Sequence, residues 1–215
     1  MIELLVKGGL AYLLGSIVGS LLIGRLQGVD IRTMGSGNAG ATNALRMLGR
    51  KIALAVFIID LVKGWIATAI IAPWTVPPAI AAAPALASWS VAVCALAVIL
   101  GHVYPLWYGF RGGKGMATLL GAALGIHPWL VLPMILAWLV TVIASGFVSL
   151  GSMLATAALA AAFALMQAGV PLVTFGVLSL LLITFTHRAN IARMRTGTES
   201  RARRLWLFGT RRGQA

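Results

Sequence analysis

Three short polar segments interrupt an otherwise apolar chain, and each carries residue types that hold anions or move protons. The first is Gly35-Ser36-Gly37-Asn38-Ala39-Gly40-Ala41-Thr42-Asn43, followed by Arg46. Glycines let successive backbone amides turn inward, and such nests bind anions. Thr42 or Asn43 can cap a following helix, whose N-terminus adds positive potential. Arg46 can then close on a phosphate with two hydrogen bonds. The plainer alternative is a flexible loop with Gly turns.

The second segment is Gly101-His102, then Phe110-Arg111-Gly112-Gly113-Lys114-Gly115-Met116-Ala117-Thr118. It looks like a P-loop but fails the pattern. That motif needs a Gly opening the run and a Ser or Thr after the Lys, and those places hold Tyr108 and Gly115. Nucleotide hydrolysis is therefore not indicated. Phosphate binding through amides and Lys114 survives, with a positively charged membrane anchor as the alternative. The third segment is His187-Arg188 with Asn190, where the His can be a general base, a hydrogen-bond donor or an interface residue. Asp60 and Lys63 lie one helical turn apart inside an apolar run and can pair. Ser145, Ser149 and Ser152 recur near one junction, where small hydroxyl residues pack helices or touch a ligand.

The elements that carry these segments must lie in a bilayer. The chain of 215 residues is 60% hydrophobic and 10% charged, with only four acids: Glu3, Asp30, Asp60 and Glu199. A soluble domain carries about 25% charged residues. Seven apolar stretches, near 3–24, 52–73, 86–104, 115–126, 128–146, 149–168 and 170–187, read as helices in one all-α bundle. The fourth is short and Gly-rich, and is expected to cross only in part. Lone Cys94 sits in an apolar run and reads as core. No Cys cluster suits a metal, and neither a metal nor a cofactor is expected. Trp65, Trp74, Trp107, Trp129 and Trp206 lie near the ends of these stretches, as in an interfacial aromatic belt.

The net charge of +13 is concentrated. Stretches 25–51 and 102–114 and the C-terminal tail are basic, whereas 74–85 carries no charge. The positive-inside rule places the basic side in the cytoplasm and the N-terminus outside. All three polar segments fall on that cytoplasmic side, which suggests one site built from several loops. Basic clusters beside apolar spans face anionic lipid headgroups rather than nucleic acid. Residues 1–201 read as one membrane-embedded domain, and 202–215 as an added basic tail.

Together these pieces resemble the bacterial acyl-phosphate:glycerol-3-phosphate acyltransferase family, the PlsY family. Its first motif is similar to Gly35–Asn43 with Arg46, and its Asp-two residues-Lys-Gly pattern to Asp60–Gly64. Its second motif is similar to Gly101-His102, Pro105 and Phe110–Thr118. A Val-Ser-Leu-Gly-Ser segment resembles Val148–Ser152. Its third motif resembles His187–Ile191 and Gly197-Thr198-Glu199. Departures are mild: Ala39 stands where Pro is frequent, Arg111 for Lys, and Met116 for Val.

The resemblance implies a reaction in the bacterial inner membrane. The 1-hydroxyl of glycerol 3-phosphate attacks a fatty acyl phosphate, giving 1-acylglycerol 3-phosphate and phosphate. Neither acyl-CoA nor acyl carrier protein is expected as direct donor. Ser36, Gly37, Asn38, Gly40, Thr42, Asn43, Arg46 and Gly112–Gly115 would bind substrate phosphate. His187 and Asn190 would hold substrate and steady an oxyanion, with Ser149 and Ser152 positioning glycerol 3-phosphate. Asp60, Lys63, His102, Arg111, Thr118 and Glu199 remain structural or unassigned. No acid stands five residues beyond His102, His127 or His187, so the His-Asp pair of other membrane glycerolipid acyltransferases is missing. A small anion transporter would also suit Gly-broken helices, but it should show repeated halves, and none is evident. A lipid-binding scaffold is a further alternative.

Overall fold

The computed structural model describes residues 1–202 and 205–207, which are helical or irregular with no β-strand among them. Of the basic tail, residues 203, 204 and 208–215 lie outside the described residues. Each of the seven apolar stretches is helical. Five helices are long and apolar enough to cross a membrane: Arg50–Ile71, Pro84–Tyr108, Pro128–Ser145, Val148–Leu165 and Gly169–Thr186. The pair α1 (Ile2–Gly15) and α2 (Gly19–Leu26), bent by 45°, makes a sixth if its two halves are taken as one span. Thus the seven expected spans are not matched one for one. The Gly-rich stretch forms α7 (Met116–Ile126), whose 11 residues rise about 16 Å against a hydrocarbon core of about 30 Å.

The remaining helices are α3 (Ala41–Met47), α4 (Arg50–Ile66), α5 (Pro84–Ala87), α6 (Ser90–Val103), α8 (Val131–Ser145), α9 (Val148–Leu165), α10 (Gly169–Thr186) and α11 (Arg188–Arg195). A π-helical turn, Ala67–Ile71, extends α4. The main core joins α6, α7, α9 and α10 through Val98, Ile99, Leu119, Leu159, Phe163, Phe175 and Ile183. Cys94 is buried there, as expected. Helix α7 fits closely against α4 because Gly121 faces the Leu61 carbonyl and Gly64 the Thr118 carbonyl, with no room for a Cβ at either glycine. Outward-facing Leu132, Leu136, Val140, Leu181 and Phe185 are exposed, as lipid-facing residues should be.

Inside the bundle the bend between α1 and α2 is held by charge. Val18 is extended, so the first helix stops at Gly15 and restarts at Gly19. A break at membrane depth leaves backbone groups with no water to satisfy them, at several kcal/mol each. Lys63 Nζ donates to the Gly15 and Ile17 carbonyls, at 2.9 and 2.8 Å. Asp60 Oδ1 accepts from the Gly19 amide at 3.1 Å. The two side chains pair at 2.9 Å, and His102 Nδ1 lies 2.8 Å from Lys63 Nζ. The cation thus faces the carbonyl end of one half-helix and the anion the amide end of the other, each matching the local dipole.

At the opposite side, Lys7 pairs with Glu3 at 2.6 Å and donates to the Ala72 carbonyl. Glu3 also accepts from the Ala82 amide at 2.7 Å, which pins the Pro-rich loop 73–85 to α1. Near the site, Arg32 pairs with Asp30 at 2.8 Å and donates to the Tyr108 and Arg111 carbonyls. It ties the first Gly-rich segment to the second. Arg111 itself is exposed.

Removing one partner of a buried pair leaves an uncompensated charge and costs about 3–5 kcal/mol. Lys63→Met or Asp60→Asn alone should therefore lower the thermal unfolding temperature in detergent markedly. The double substitution should cost less than the sum of the two. Strict additivity would show that the side chains stabilise the bend independently.

Candidate functional site

A cavity of about 950 Å³ opens where the three polar segments meet. The loop before α3 and α3 itself supply Ser36, Asn38, Gly40, Thr42, Asn43 and Arg46. The start of α7 supplies Lys114, Gly115 and Met116, and α9 supplies Ser149 and Ser152. The end of α10 and α11 supply His187, Asn190 and Arg193, and the chain beyond α11 supplies Glu199. Phe57, Leu120, Ile135, Trp138 and Leu139 form an apolar limb between α4, α7 and α8. The polar end is thus contiguous with a greasy one, and Ile135 and Leu139 are also exposed on the outer surface.

The first loop is shaped by Asn43, which is 1% exposed. Its Nδ2 donates to the Ile31 and Met34 carbonyls, and its Oδ1 accepts from the Ser36 amide. Asn43 therefore clips the loop instead of capping α3, whose N-cap is Gly40. Not all the glycine amides are free for an anion. Gly37 donates to the Met34 carbonyl and Gly40 to the Asn38 carbonyl. Arg46 is exposed at the cavity and forms no ion pair among the described residues.

In the second segment Gly112 and Gly113 are not among the residues that line the cavity. Their amides donate to the Val103 and His102 carbonyls, at 3.0 and 3.1 Å, so neither is available to a phosphate. A Cβ at Gly113 would run into the His102 ring. These glycines fasten the loop to the end of α6, where His102 also meets Asp60 and Lys63. Thr118 is buried on the α4 side and does not line the cavity. Asp60 and His102 reach the cavity wall, while Lys63 does not.

Glu199 is the hub of the polar end. Its Oε1 accepts from Asn190 Nδ2 at 2.6 Å and Ser149 Oγ at 2.9 Å, and its Oε2 from Arg193 Nε at 2.7 Å. Asn190 Oδ1 in turn accepts from Lys114 Nζ. Burial pushes the Glu199 carboxyl up, but the hydrogen bonds from Asn190, Arg193 and Ser149 outweigh it and hold it below the ordinary range. Burial lowers Lys114 to about 8, against support from Glu199. Ser152 Oγ donates back to the Val148 carbonyl of its own helix, which leaves its lone pairs to the cavity.

His187 is 4% exposed. Its Nδ1 lies 2.8 Å from the Ile183 carbonyl, an acceptor only, so Nδ1 carries the proton. Nε2 of the neutral ring is then an acceptor. Burial, with Lys114 nearby, pushes His187 down to about 4, so the ring is neutral at pH 7. Arg193 and the apolar limb escaped the sequence reading. Arg193 was one arginine in a basic run, and nothing in its spacing set it apart.

Known proteins share the sequence and fold of this chain. The family model for glycerol-3-phosphate acyltransferase matches residues 6–197. A glycerol-3-phosphate acyltransferase of Geotalea daltonii is 44% identical over 190 residues, covering 88% of this chain and 93% of that one. One of Aquifex aeolicus is 42% identical over 195 residues, covering 89% and 95%. The crystal structure of PlsY (YgiH), an integral membrane glycerol 3-phosphate acyltransferase, in its glycerol 3-phosphate form is 37% identical with a TM-score of 0.82. It covers 92% of this chain and 94% of its own. The lysophosphatidic acid form of that protein has a TM-score of 0.79 at 36% identity. With its motifs gathered at one cavity in a multi-pass membrane bundle, the chain belongs to the glycerol-3-phosphate acyltransferase family.

Proposed function

We propose that this chain moves a fatty acyl group from an acyl phosphate to the 1-hydroxyl of glycerol 3-phosphate, the first step of phospholipid synthesis. The observation that carries the reading is a single cavity whose polar end has three cations and whose other end is apolar. Arg46, Lys114 and Arg193 suit two phosphorylated substrates. The limb lined by Phe57, Leu120 and Trp138 suits an acyl chain.

The hydroxyl oxygen attacks the acyl carbonyl carbon, the bond from that carbon to the phosphate oxygen breaks, and inorganic phosphate leaves. The hydroxyl proton ends on a phosphate oxygen. A mixed anhydride is already activated, so no covalent enzyme nucleophile is needed. Substrate phosphate is the proton acceptor, because its second pKa of about 6 lies near the working pH while His187 sits near 4. The acceptor Nε2 of His187 suits a hydroxyl of glycerol 3-phosphate better than the oxyanion role expected from sequence.

The polar cavity lies on the basic side of the chain, which we assign to the cytoplasmic face of the bacterial inner membrane. The uncharged loop 74–85 is then outside. Impermeant thiol reagents should reach a cysteine introduced at position 79 from the periplasmic side. Labelling only from the cytoplasm would reverse the topology. Purified protein given glycerol 3-phosphate and a synthetic acyl phosphate should form one lysophosphatidic acid per phosphate released. Turnover with acyl-CoA alone, or none with acyl phosphate, would overturn the donor assignment.

Charge-assisted bonds to phosphate contribute about 1.5–3 kcal/mol. Arg46→Ala and Lys114→Ala should each lower kcat/KM by roughly tenfold to over a hundredfold, and Arg46→Lys should stay impaired because the planar fork is lost. A lysine shifted down to about 8 is charged below that pH and neutral above it. Wild-type kcat/KM should therefore fall as pH rises through about 8, and Lys114→Arg should move that limb to higher pH. A flat profile to pH 9.5 would remove Lys114 from phosphate binding.

For His187, Gln keeps an amide that accepts and donates, so His187→Gln should retain more activity than His187→Ala. An equal loss of about 10³-fold in both, with imidazole restoring the Ala variant, would make His187 the general base.

A further inference from the structure

The chain beyond the third motif runs back across the turn between α8 and α9. Arg201 is sandwiched between two rings, its guanidinium carbon 4.5 Å from the centre of Phe147 and 4.1 Å from that of Trp206. The Ala202 amide donates to the Gly146 carbonyl at 2.8 Å, and the Leu207 amide to the Ile143 carbonyl at 3.0 Å. Trp206 Nε1 donates to the Ala144 carbonyl at 3.2 Å. Helix α8 leaves its last carbonyls without helical partners, and this segment takes up those of Ile143, Ala144 and Gly146. The turn is shaped to receive it. Gly146 has φ +77°, and a Cβ there would meet Arg201 Cβ and the Trp206 ring, both at 3.1 Å.

The position of Glu199 gives this strap a purpose. On one side of it the Thr198 and Glu199 amides both donate to the Arg193 carbonyl, which closes the end of α11. On the other side the first fixed point is Arg201. The carboxylate that organises Ser149, Asn190 and Arg193 thus hangs between two anchors, one on α11 and one on the α8–α9 turn. Ser149 belongs to α9 and Asn190 to α11, so Glu199 bridges two elements only while the chain on both sides is fixed. We propose that Arg201 and Trp206 are positioning residues for the acyltransferase site: the strap they lock onto Phe147 and Gly146 holds Glu199 in the cavity. The matched family region ends at residue 197, short of the strap.

A released strap would let Glu199 swing out. Lys114 would then face Arg193, Arg46 and His187 without the one carboxylate that supports its charge. The inference rests on the proposed acyl transfer, and its test is built from ratios to wild type. Three variants are compared in detergent: Trp206→Ala, Trp206→Phe, and a chain ending after Ala202. The Ala variant and the shortened chain should lose roughly three- to thirtyfold in kcat/KM for glycerol 3-phosphate. Their alkaline limb should move to lower pH. Trp206→Phe keeps a ring for Arg201 and should recover most of the loss. Combining Trp206→Ala with Glu199→Gln should add little to Glu199→Gln alone.

Activity within twofold of wild type in both the Ala variant and the shortened chain would overturn the proposal. So would a loss with the alkaline limb unmoved, since general destabilisation would explain it. Calorimetric binding of glycerol 3-phosphate to wild type and Trp206→Ala reads the strap without turnover. A wild type that binds but transfers nothing would instead indict the proposed reaction.

Discussion

A helix that stops partway through a membrane leaves backbone groups that neither lipid nor water can satisfy, and this chain meets that cost with one ion pair. Lys63 and Asp60, one turn apart on α4, cap the two facing ends of the broken first span. The consequences reach well beyond the bend. The redirected α2 delivers the loop that carries Gly35 to Asn43. The same charges hold His102, against whose ring and carbonyl the Gly112–Gly113 backbone is laid. One buried pair therefore supports the elements leading into both Gly-rich segments, and Arg32 ties the two segments together directly.

The polar end of the cavity is also organised by one carboxylate rather than by its several cations. Arg46, Lys114 and Arg193 would repel one another if nothing stood among them. Glu199 binds Arg193 directly and Lys114 through Asn190, and it pins the Ser149 hydroxyl. The result is a fixed network in which Ser149, Asn190 and Arg193 all donate to one carboxylate, the kind of preorganisation that the proposed transfer would use. Arg46 stands apart from this network on an exposed face of α3 at the cavity.

Sequence reasoning reached the helices, because runs of apolar residues near 20 long have few other readings. It also reached most of the cavity: Ser36, Asn38, Thr42, Lys114, Ser152, His187 and Asn190 all line it. It failed where a residue's role is decided by a distant partner. The bend at Ile17-Val18 carries no Pro; its only local signal is the flanking Gly15-Ser16 and Gly19-Ser20, and the charged groups that satisfy it are more than 40 positions away. Gly112 and Gly113 look like an anion nest because a nest and a close backbone contact select the same residue. Trp206 looks like an interfacial belt residue because its stacking on Arg201 depends on how the chain folds back. Asn43 has the type and position of a cap, yet tertiary contacts divert its amide to Ile31 and Met34.

Charge accounting at the cavity bears on the proposed chemistry. Two phosphorylated substrates bring roughly three to four negative charges at neutral pH, taking about −1.5 to −2 for each. Arg46, Lys114 and Arg193 supply at most three positive charges, and Glu199 returns one negative. On the proposed reaction, the site would therefore bind its substrates without neutralising them. Full neutralisation would tighten binding but would strip the phosphate oxygens of proton affinity. An excess of negative charge keeps one of those oxygens basic enough to take the hydroxyl proton. It also favours departure of phosphate once the carbonyl bond breaks. A carboxylate that weakens phosphate binding is thus what the proposed transfer, with phosphate as its proton acceptor, would require.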